Sequence, residues 1–270
     1  MLEHVGEVKS SDGCRIAFEI VGEGPTVMLV DGALCFRRLG PSKGMSAMLA
    51  AEGFRVVRFD RRGRGQSDST PNYAVQQEIE DIASVARQVG EEISLWGMSS
   101  GGLLALMAAA QLPVVRRVAI YEAPVLFDRS RTAMAQQWQR IGSFIENGDR
   151  SGALNTFLGM VGMPAPARMV MRMLPLWRKL KVIAPTLLHD GDISGPFLNG
   201  SEDSLRLLPQ VRCDLLVSAG SRSPAWLVFN NKRLAGEYQQ AHYAMIEGDD
   251  HMVRPKQHRD ALTNFFGATA

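Results

Sequence analysis

The chain is 270 residues long and 46% hydrophobic, enough apolar material for one substantial core plus a smaller inserted element. Its formal net charge of +2 is too mild to point to nucleic acid or a membrane surface as a partner. The three cysteines, Cys14, Cys35 and Cys213, include no Cys-x-x-Cys pair and leave an odd count, which argues against a disulfide framework and reads as reduced, mostly buried thiols of a cytoplasmic protein.

The chain opens Met1-Leu2-Glu3-His4. A basic segment leading into an apolar run is missing there, so no signal peptide is expected. No stretch reaches ~18 uninterrupted apolar residues, so no membrane span is expected either. Cys and His residues show no metal-ligand spacing. Two positive runs, Arg61-Arg62-Gly63-Arg64 and Arg178-Lys179-Leu180-Lys181, are short and read as solvated surface.

Glu3–Lys9 and Arg15–Val21 read as two antiparallel strands. Apolar, β-rich runs follow at 27–30, 54–59, 93–96 and 118–121, each ending at a Gly or an acid. Helical patterns at 45–52, 76–90 and 101–111 separate them. Strand-helix alternation of this kind predicts a mostly parallel sheet, of eight strands in all, with helices on both faces. From 125 to 208 no clear strand occurs. That stretch has helical patterns, prolines at 164, 166, 175, 185 and 196, and Met160, Met163, Met169, Met171 and Met173. It reads as an inserted helical cap, with 1–124 and 209–270 as the core. Its methionines suit either the cap's own packing or a pliable apolar pocket. Strand character returns at 214–218, a helix at 224–238, a last strand at 242–246 and a closing helix at 255–267.

The sharpest motif is Gly97-Met98-Ser99-Ser100-Gly101. It follows an apolar strand and precedes the helical run 103–110, the context in which G-x-S-x-G makes a strained turn that lifts a serine out of the sheet. Glycines two before and two after Ser99 remove the Cβ clashes of that turn. Ser100 does not fit the frame, because Met98 would have to be a glycine. Serine needs a base to become a nucleophile, and the oxyanion it creates needs fixed donors. The backbone N–H of Ser100 is one candidate donor. The N–H of Gly32 or Ala33, in the loop after the third strand, is the other.

The chain resembles the α/β-hydrolase family along almost its whole length. Asp60-Arg61-Arg62-Gly63-Arg64-Gly65-Gln66-Ser67 is similar to the D-x-R-G-x-G-x-S segment after that family's fourth strand, read as structural. The resemblance implies the chain order Ser, acid, His. His251, in Gly248-Asp249-Asp250-His251 after the last strand, takes the histidine role. His4, His189, His242 and His258 have weaker positions.

One departure stands out. The family's usual acid follows the seventh strand, where this chain has Ala219-Gly220-Ser221-Arg222-Ser223, with no acid between Asp214 and Glu237. Glu122, at the end of the sixth strand, is expected to serve instead, with Asp128 as second choice. Asp249 and Asp250 are too close in sequence to fold back onto the His251 ring. A Glu at this strand end, followed by Ala-Pro, resembles the zearalenone-type lactone hydrolases. So do Asp-Gly in the oxyanion loop and Pro175-Leu176-Trp177 in the cap. Asp31 reads as structural, with a polar contact to substrate as its second role.

The expected activity is hydrolysis of a carboxylic ester or lactone through an acyl-enzyme on Ser99, with a Ser99-His251-Glu122 triad. Asp31, Leu34, Leu176, Trp177, Met160 and Met163 are the expected lining of a largely apolar substrate pocket. No metal or organic cofactor is required. The same fold and triad also suit C–C bond cleavage or a biosynthetic cyclisation, and the pocket alone would suit a non-catalytic binding protein. The expected partner is a small molecule, with a homodimer allowed.

Overall fold

Runs of Val, Ile and Leu that are buried on both faces need helices above and below them, and the chain supplies these in alternation. A computed structural model describes residues 3–90, 92–127, 133–198 and 206–267. The chain divides into two units, Met1–Val125 with Leu208–Ala270, and Leu126–Leu207.

The first unit carries an eight-stranded sheet. In chain order its strands are β1 (Glu3–Lys9), β2 (Arg15–Val21), β3 (Thr26–Val30), β4 (Arg55–Phe59), β5 (Ile93–Met98), β6 (Val115–Tyr121), β7 (Asp214–Gly220) and β8 (Ala241–Ile246). Across the sheet the order is β1-β2-β4-β3-β5-β6-β7-β8. The β1/β2 and β2/β4 pairs are antiparallel, and all the others are parallel. The helices are α1 (Ser42–Ala51), α2 (Val75–Val89), α3 (Ser100–Gln111), α9 (Ala225–Gly236) and α10 (Pro255–Gly267). Helix α3 is apolar nearly all round, and Leu103, Leu104, Ala105, Leu106 and Ala108 are buried, as expected of an interior helix. One core layer joins Leu29, Val56, Trp96 and Tyr121 of the sheet to Met45 and Leu49 of α1 and Leu262 and Phe266 of α10.

Two elements begin three residues earlier than the sequence pattern suggests. Helix α1 starts at Ser42, not 45, because the Ser42 hydroxyl is anchored on Asp31 at 2.6 Å. Strand β6 starts at Val115 rather than 118. Arg116 points outward to Glu92 and Arg117 pairs with Asp214, which hides the strand's apolar face in the sequence.

The second unit, in its described residues, contains α4 (Ala133–Glu146), α5 (Arg150–Met160), α6 (Ala165–Met173), α7 (Pro175–Ile183) and α8 (Leu187–Ser194). Ile141, Leu154, Phe157, Trp177, Leu180, Ile183 and Leu187 are buried. Helix α6 buries nothing, and Met169 and Met173 are exposed, so these two methionines do not serve the unit's own packing. No described helix is long and apolar enough to cross a membrane. Cys14 is buried, Cys35 and Cys213 are half-buried, and none of the three is in a disulfide.

The largest correction concerns Arg61-Arg62-Gly63-Arg64. It is no solvated run, because all three arginines are 1% exposed. Arg61 makes a two-pronged pair with Glu78 of α2 at 2.6 and 2.7 Å. Arg62 does the same with Asp81 at 2.7 Å for both bonds. Arg64 donates to the Gly32 carbonyl at 2.6 Å. Beside them, Arg37 pairs with Glu19 and Asp60, and Arg58 with Glu19. Burying an arginine is tolerable only when its donors find such acceptors. Arg178 and Lys179 of the other run are exposed. Glu78→Ala, which strands Arg61 among buried groups, is expected to lower unfolding free energy by about 3–5 kcal/mol in urea denaturation. A loss below about 1 kcal/mol would mean the pair behaves like an exposed one.

Candidate active site

In an open parallel sheet, reactive side chains gather where the strands end at their carboxyl edge. Strands β5 and β6 are neighbours there. Ser99 follows β5 with φ 52° and ψ −131°, a conformation few residues other than glycine adopt. Its N–H donates to the Tyr121 carbonyl at 2.9 Å, and its own carbonyl accepts the first bonds of α3. The flanking glycines are sterically forced. A Cβ on Gly97 would lie 2.5 Å from the Gly101 carbonyl oxygen, and one on Gly101 would lie 2.2 Å from that of Val30. Ser99 is half-buried and Ser100 opens α3. Gly32 lies against this turn, since a Cβ there would be 3.1 Å from the Ser99 Cβ. The loop from Gly32 closes as a turn through Cys35 N–H to the Gly32 carbonyl at 3.3 Å. Leu34, inside that turn, has φ 60°.

Glu122 follows β6, also at positive φ, 50°. Its N–H donates to the Ser218 carbonyl of β7 at 2.9 Å. Its carboxylate is wholly buried. Oε1 accepts from the Gly220 N–H at 2.9 Å and from the Ser223 hydroxyl. Oε2 lies 2.7 Å from His251 Nδ1. Burial pushes this carboxyl up, but the His251, Ser223 and Gly220 donors outweigh it and hold it below the usual carboxylate range. An ionised carboxylate only accepts, so His251 Nδ1 carries the proton in this bond. The His251 side chain keeps 31% exposure.

The loop bearing His251 is fixed on both sides. Tyr121 Oη donates to the Asp250 carbonyl at 2.9 Å. Asp249 is buried and lies 2.7 Å from His258 Nε2, and Asp250 Oδ2 accepts from Arg254 at 3.0 Å, so both neighbouring acids are engaged elsewhere than on the His251 ring. His258 itself is buried on α10, and burial lowers its pKa. His4 and His242 are exposed, and His189 lies in the second unit. Asp128 lies outside the described residues. The geometry therefore joins Glu122 to His251, sets Gly32 against Ser99 just ahead of Ser100, and ties Ser99 to Tyr121, the residue before Glu122. It adds Ser223, whose hydroxyl occupies the position where the usual acid would stand. In sequence the only trace of this was the missing acid.

Of the expected pocket residues in the first unit, Asp31 is corrected. It is 1% exposed and accepts a bond from Ser42, so it presents no surface to substrate. Leu34 is also buried. In the second unit Trp177 is buried, with its Nε1 3.4 Å from Ser151 Oγ, while Leu176, Met160 and Met163 are half-buried. Among the described residues, no group of three or more His, Cys, Asp or Glu side chains is arranged to hold a metal ion.

Residues 29–262 match the family described as "Alpha/beta hydrolase family". Among solved structures, an alpha/beta hydrolase from Sphaerobacter thermophilus DSM 20745 is 35% identical, with a TM-score of 0.86, over 97% of this chain and 100% of that one. A thermophilic esterase from Thermogutta terrifontis is 22% identical, with a TM-score of 0.69, over 98% of each chain. A bromoperoxidase from Bacillus anthracis is 20% identical, with a TM-score of 0.75, over 98% of this chain and 100% of that one. At their low identities these last two share the fold. No curated protein matches the chain in sequence.

Asp31 gives a prediction on stability. Burial raises its carboxyl to about 6, against the opposing pull of the Ser42 bond and of Arg64 and Arg61. Between the unfolded value of 3.8 and about 6, the folded chain keeps a proton that the unfolded chain has shed. Raising pH through that window therefore destabilises the fold through this group, by an amount of order 2–3 kcal/mol. Asp31→Asn does not titrate. Its unfolding free energy relative to wild type should rise from pH 4 to pH 7 in denaturant titrations. A difference that stays flat with pH would contradict the shift.

Proposed function

The chain belongs to the alpha/beta hydrolase family, and on that premise we propose that it is a serine hydrolase cleaving a carboxylic ester or lactone through an acyl-enzyme on Ser99. The observation that carries this reading is the 2.7 Å bond from His251 Nδ1 to the buried Glu122 carboxylate, which follows Tyr121, the residue whose carbonyl holds the strained Ser99 N–H. With Nδ1 held as donor, Nε2 is the basic nitrogen, and it takes the Ser99 proton as Oγ attacks the carbonyl carbon. Glu122 orients the ring and stabilises the imidazolium without taking the proton. The N–H of Ser100 and that of Gly32 or Ala33 hold the oxyanion. The tetrahedral adduct collapses, His251 returns the proton to the leaving alkoxide, and the acyl group stays on Ser99. Water, deprotonated by His251, then attacks the ester and releases the acid. No cofactor enters these steps.

The acid at the end of β6, in place of one after β7, supports the analogy with zearalenone-type lactone hydrolases and so a lactone among the substrates to screen. Leu176, Met160 and Met163 are proposed as apolar substrate contacts. The protein is proposed to be cytoplasmic.

Turnover of simple aryl esters and lactones tests the reading. Ser99→Ala should reduce it to background. Glu122→Ala should lower kcat by about 10⁴-fold, as loss of the orienting acid does in other triads. Ser223→Ala removes one donor but leaves Gly220 N–H and His251 on the carboxylate, so its loss should stay within about tenfold. Near-normal kcat in Glu122→Ala would overturn the acid assignment. Turnover retained in Ser99→Ala would overturn the whole reading, and no turnover of any ester or lactone would favour a binding protein.

A further inference from the structure

Two consecutive carbonyls of the loop beside Ser99 are held by buried guanidinium groups. Arg61 Nη1 donates to the Asp31 carbonyl at 3.1 Å, and Arg64 Nη1 donates to the Gly32 carbonyl at 2.6 Å and to the Cys35 carbonyl at 3.3 Å. Both arginines are 1% exposed. In a trans peptide the C=O and the following N–H point to opposite edges of one plane. Holding the Asp31 and Gly32 carbonyls on the arginine side therefore turns the N–H groups of Gly32 and Ala33 to the other side together. Successive N–H groups turned the same way form a concavity suited to an anion. Leu34 at φ 60° and the Cys35-to-Gly32 bond fix the loop in that shape. Gly32 itself lies against Ser99.

We propose that Arg64 is the positioning residue of the oxyanion loop. Its guanidinium fixes the Gly32–Ala33 peptide so that the Ala33 N–H faces the carbonyl under attack, with Arg61 doing the same for the Asp31–Gly32 peptide. A charged donor on the carbonyl also polarises the amide and strengthens its N–H as a donor. Arg64 touches neither substrate nor Ser99 in this scheme. The inference deepens the serine-hydrolase reading and rests on it. Arg62 provides the internal contrast. It is equally buried in the same segment, yet its bonds go to Asp81, Asp12, Thr70 and Gln77, not to the loop.

The experiment compares wild type, Ser99→Ala, Arg64→Met, Arg64→Lys and Arg62→Met. It measures kcat and KM on an aryl ester, inhibition by an aryl boronic acid, and melting temperature. The boronate adduct on Ser99 mimics the tetrahedral oxyanion, so it reads the loop donors while KM reads ground-state binding. Folded Arg64→Met should lose about 100-fold in kcat, with KM within about threefold and boronate affinity falling in step with kcat. Arg64→Lys retains a charge and one bond to Gly32, and should lose about tenfold. Arg62→Met should melt lower, but folded protein should keep kcat within about threefold. Wild-type kcat and boronate affinity in Arg64→Met would overturn the proposal. So would an equal kcat loss in Arg62→Met, which would mean general loosening. If Arg64→Met does not fold, the Arg64→Lys kcat decides in the same sense. Turnover that survives Ser99→Ala would defeat the serine-hydrolase reading. Turnover that depends on Ser99 but ignores Arg64 would defeat this proposal alone.

Discussion

A carboxylate buried without donors would unfold or neutralise itself, and Glu122 is wholly buried at the end of β6. The architecture of the site follows from how that charge is satisfied. The Gly220 N–H arrives from the end of β7, the Ser223 hydroxyl from the turn after it, and His251 Nδ1 from the loop after β8. The donors come from the next two strands along the sheet and the segments that follow them, so correct pairing of β6, β7 and β8 and a satisfied carboxylate are one condition. The same bond sets the tautomer of His251, with Nδ1 as the donor and Nε2 left as the basic nitrogen. The structural requirement of the buried charge and the chemistry proposed for the site thus share a single hydrogen bond.

Strain gathers at the same edge of the sheet. Among the described residues, four that are not glycine have positive φ: Leu34, Ser99, Glu122 and Val253. Each belongs to a loop that carries or flanks the candidate machinery. Such conformations cost on the order of 1–3 kcal/mol each and survive only where the surroundings over-determine them. Here the surroundings are specific. The Tyr121 carbonyl holds Ser99 N–H, the Ser218 carbonyl holds Glu122 N–H, and Tyr121 Oη holds the Asp250 carbonyl. Tyr121 therefore ties the β5 turn to the His251 loop. The arginines under the Gly32 turn supply the corresponding support for Leu34 and its neighbours.

The parallel strands were legible in the sequence because strands buried on both faces read as unbroken apolar runs. The Ser99 turn was legible because its steric demand for glycine is absolute. Glu122 stands out in the sequence because no acid follows β7 before Glu237. What stayed hidden was pairing over distance. The arginine run 61–64 looked like surface because its partners lie elsewhere in the chain, Glu78 and Asp81 being 17 and 19 residues from Arg61 and Arg62, and Asp12 50 residues from Arg62. No local pattern marks which charges will meet. The Ser42 bond that buries Asp31 was illegible for the same reason. Ser223 stands where the family's acid is expected, and its hydroxyl donates to Glu122, 101 residues away in the chain.

The claim on which the account rests is that the Glu122–His251 pair makes Ser99 a nucleophile. Intact mass after treatment with a fluorophosphonate tests it without knowledge of the substrate, on wild type, Ser99→Ala and Glu122→Ala. A single adduct on wild type, none on Ser99→Ala, and much slower labelling of Glu122→Ala are expected. An unlabelled, folded wild type, or equal labelling of wild type and Glu122→Ala, would contradict it.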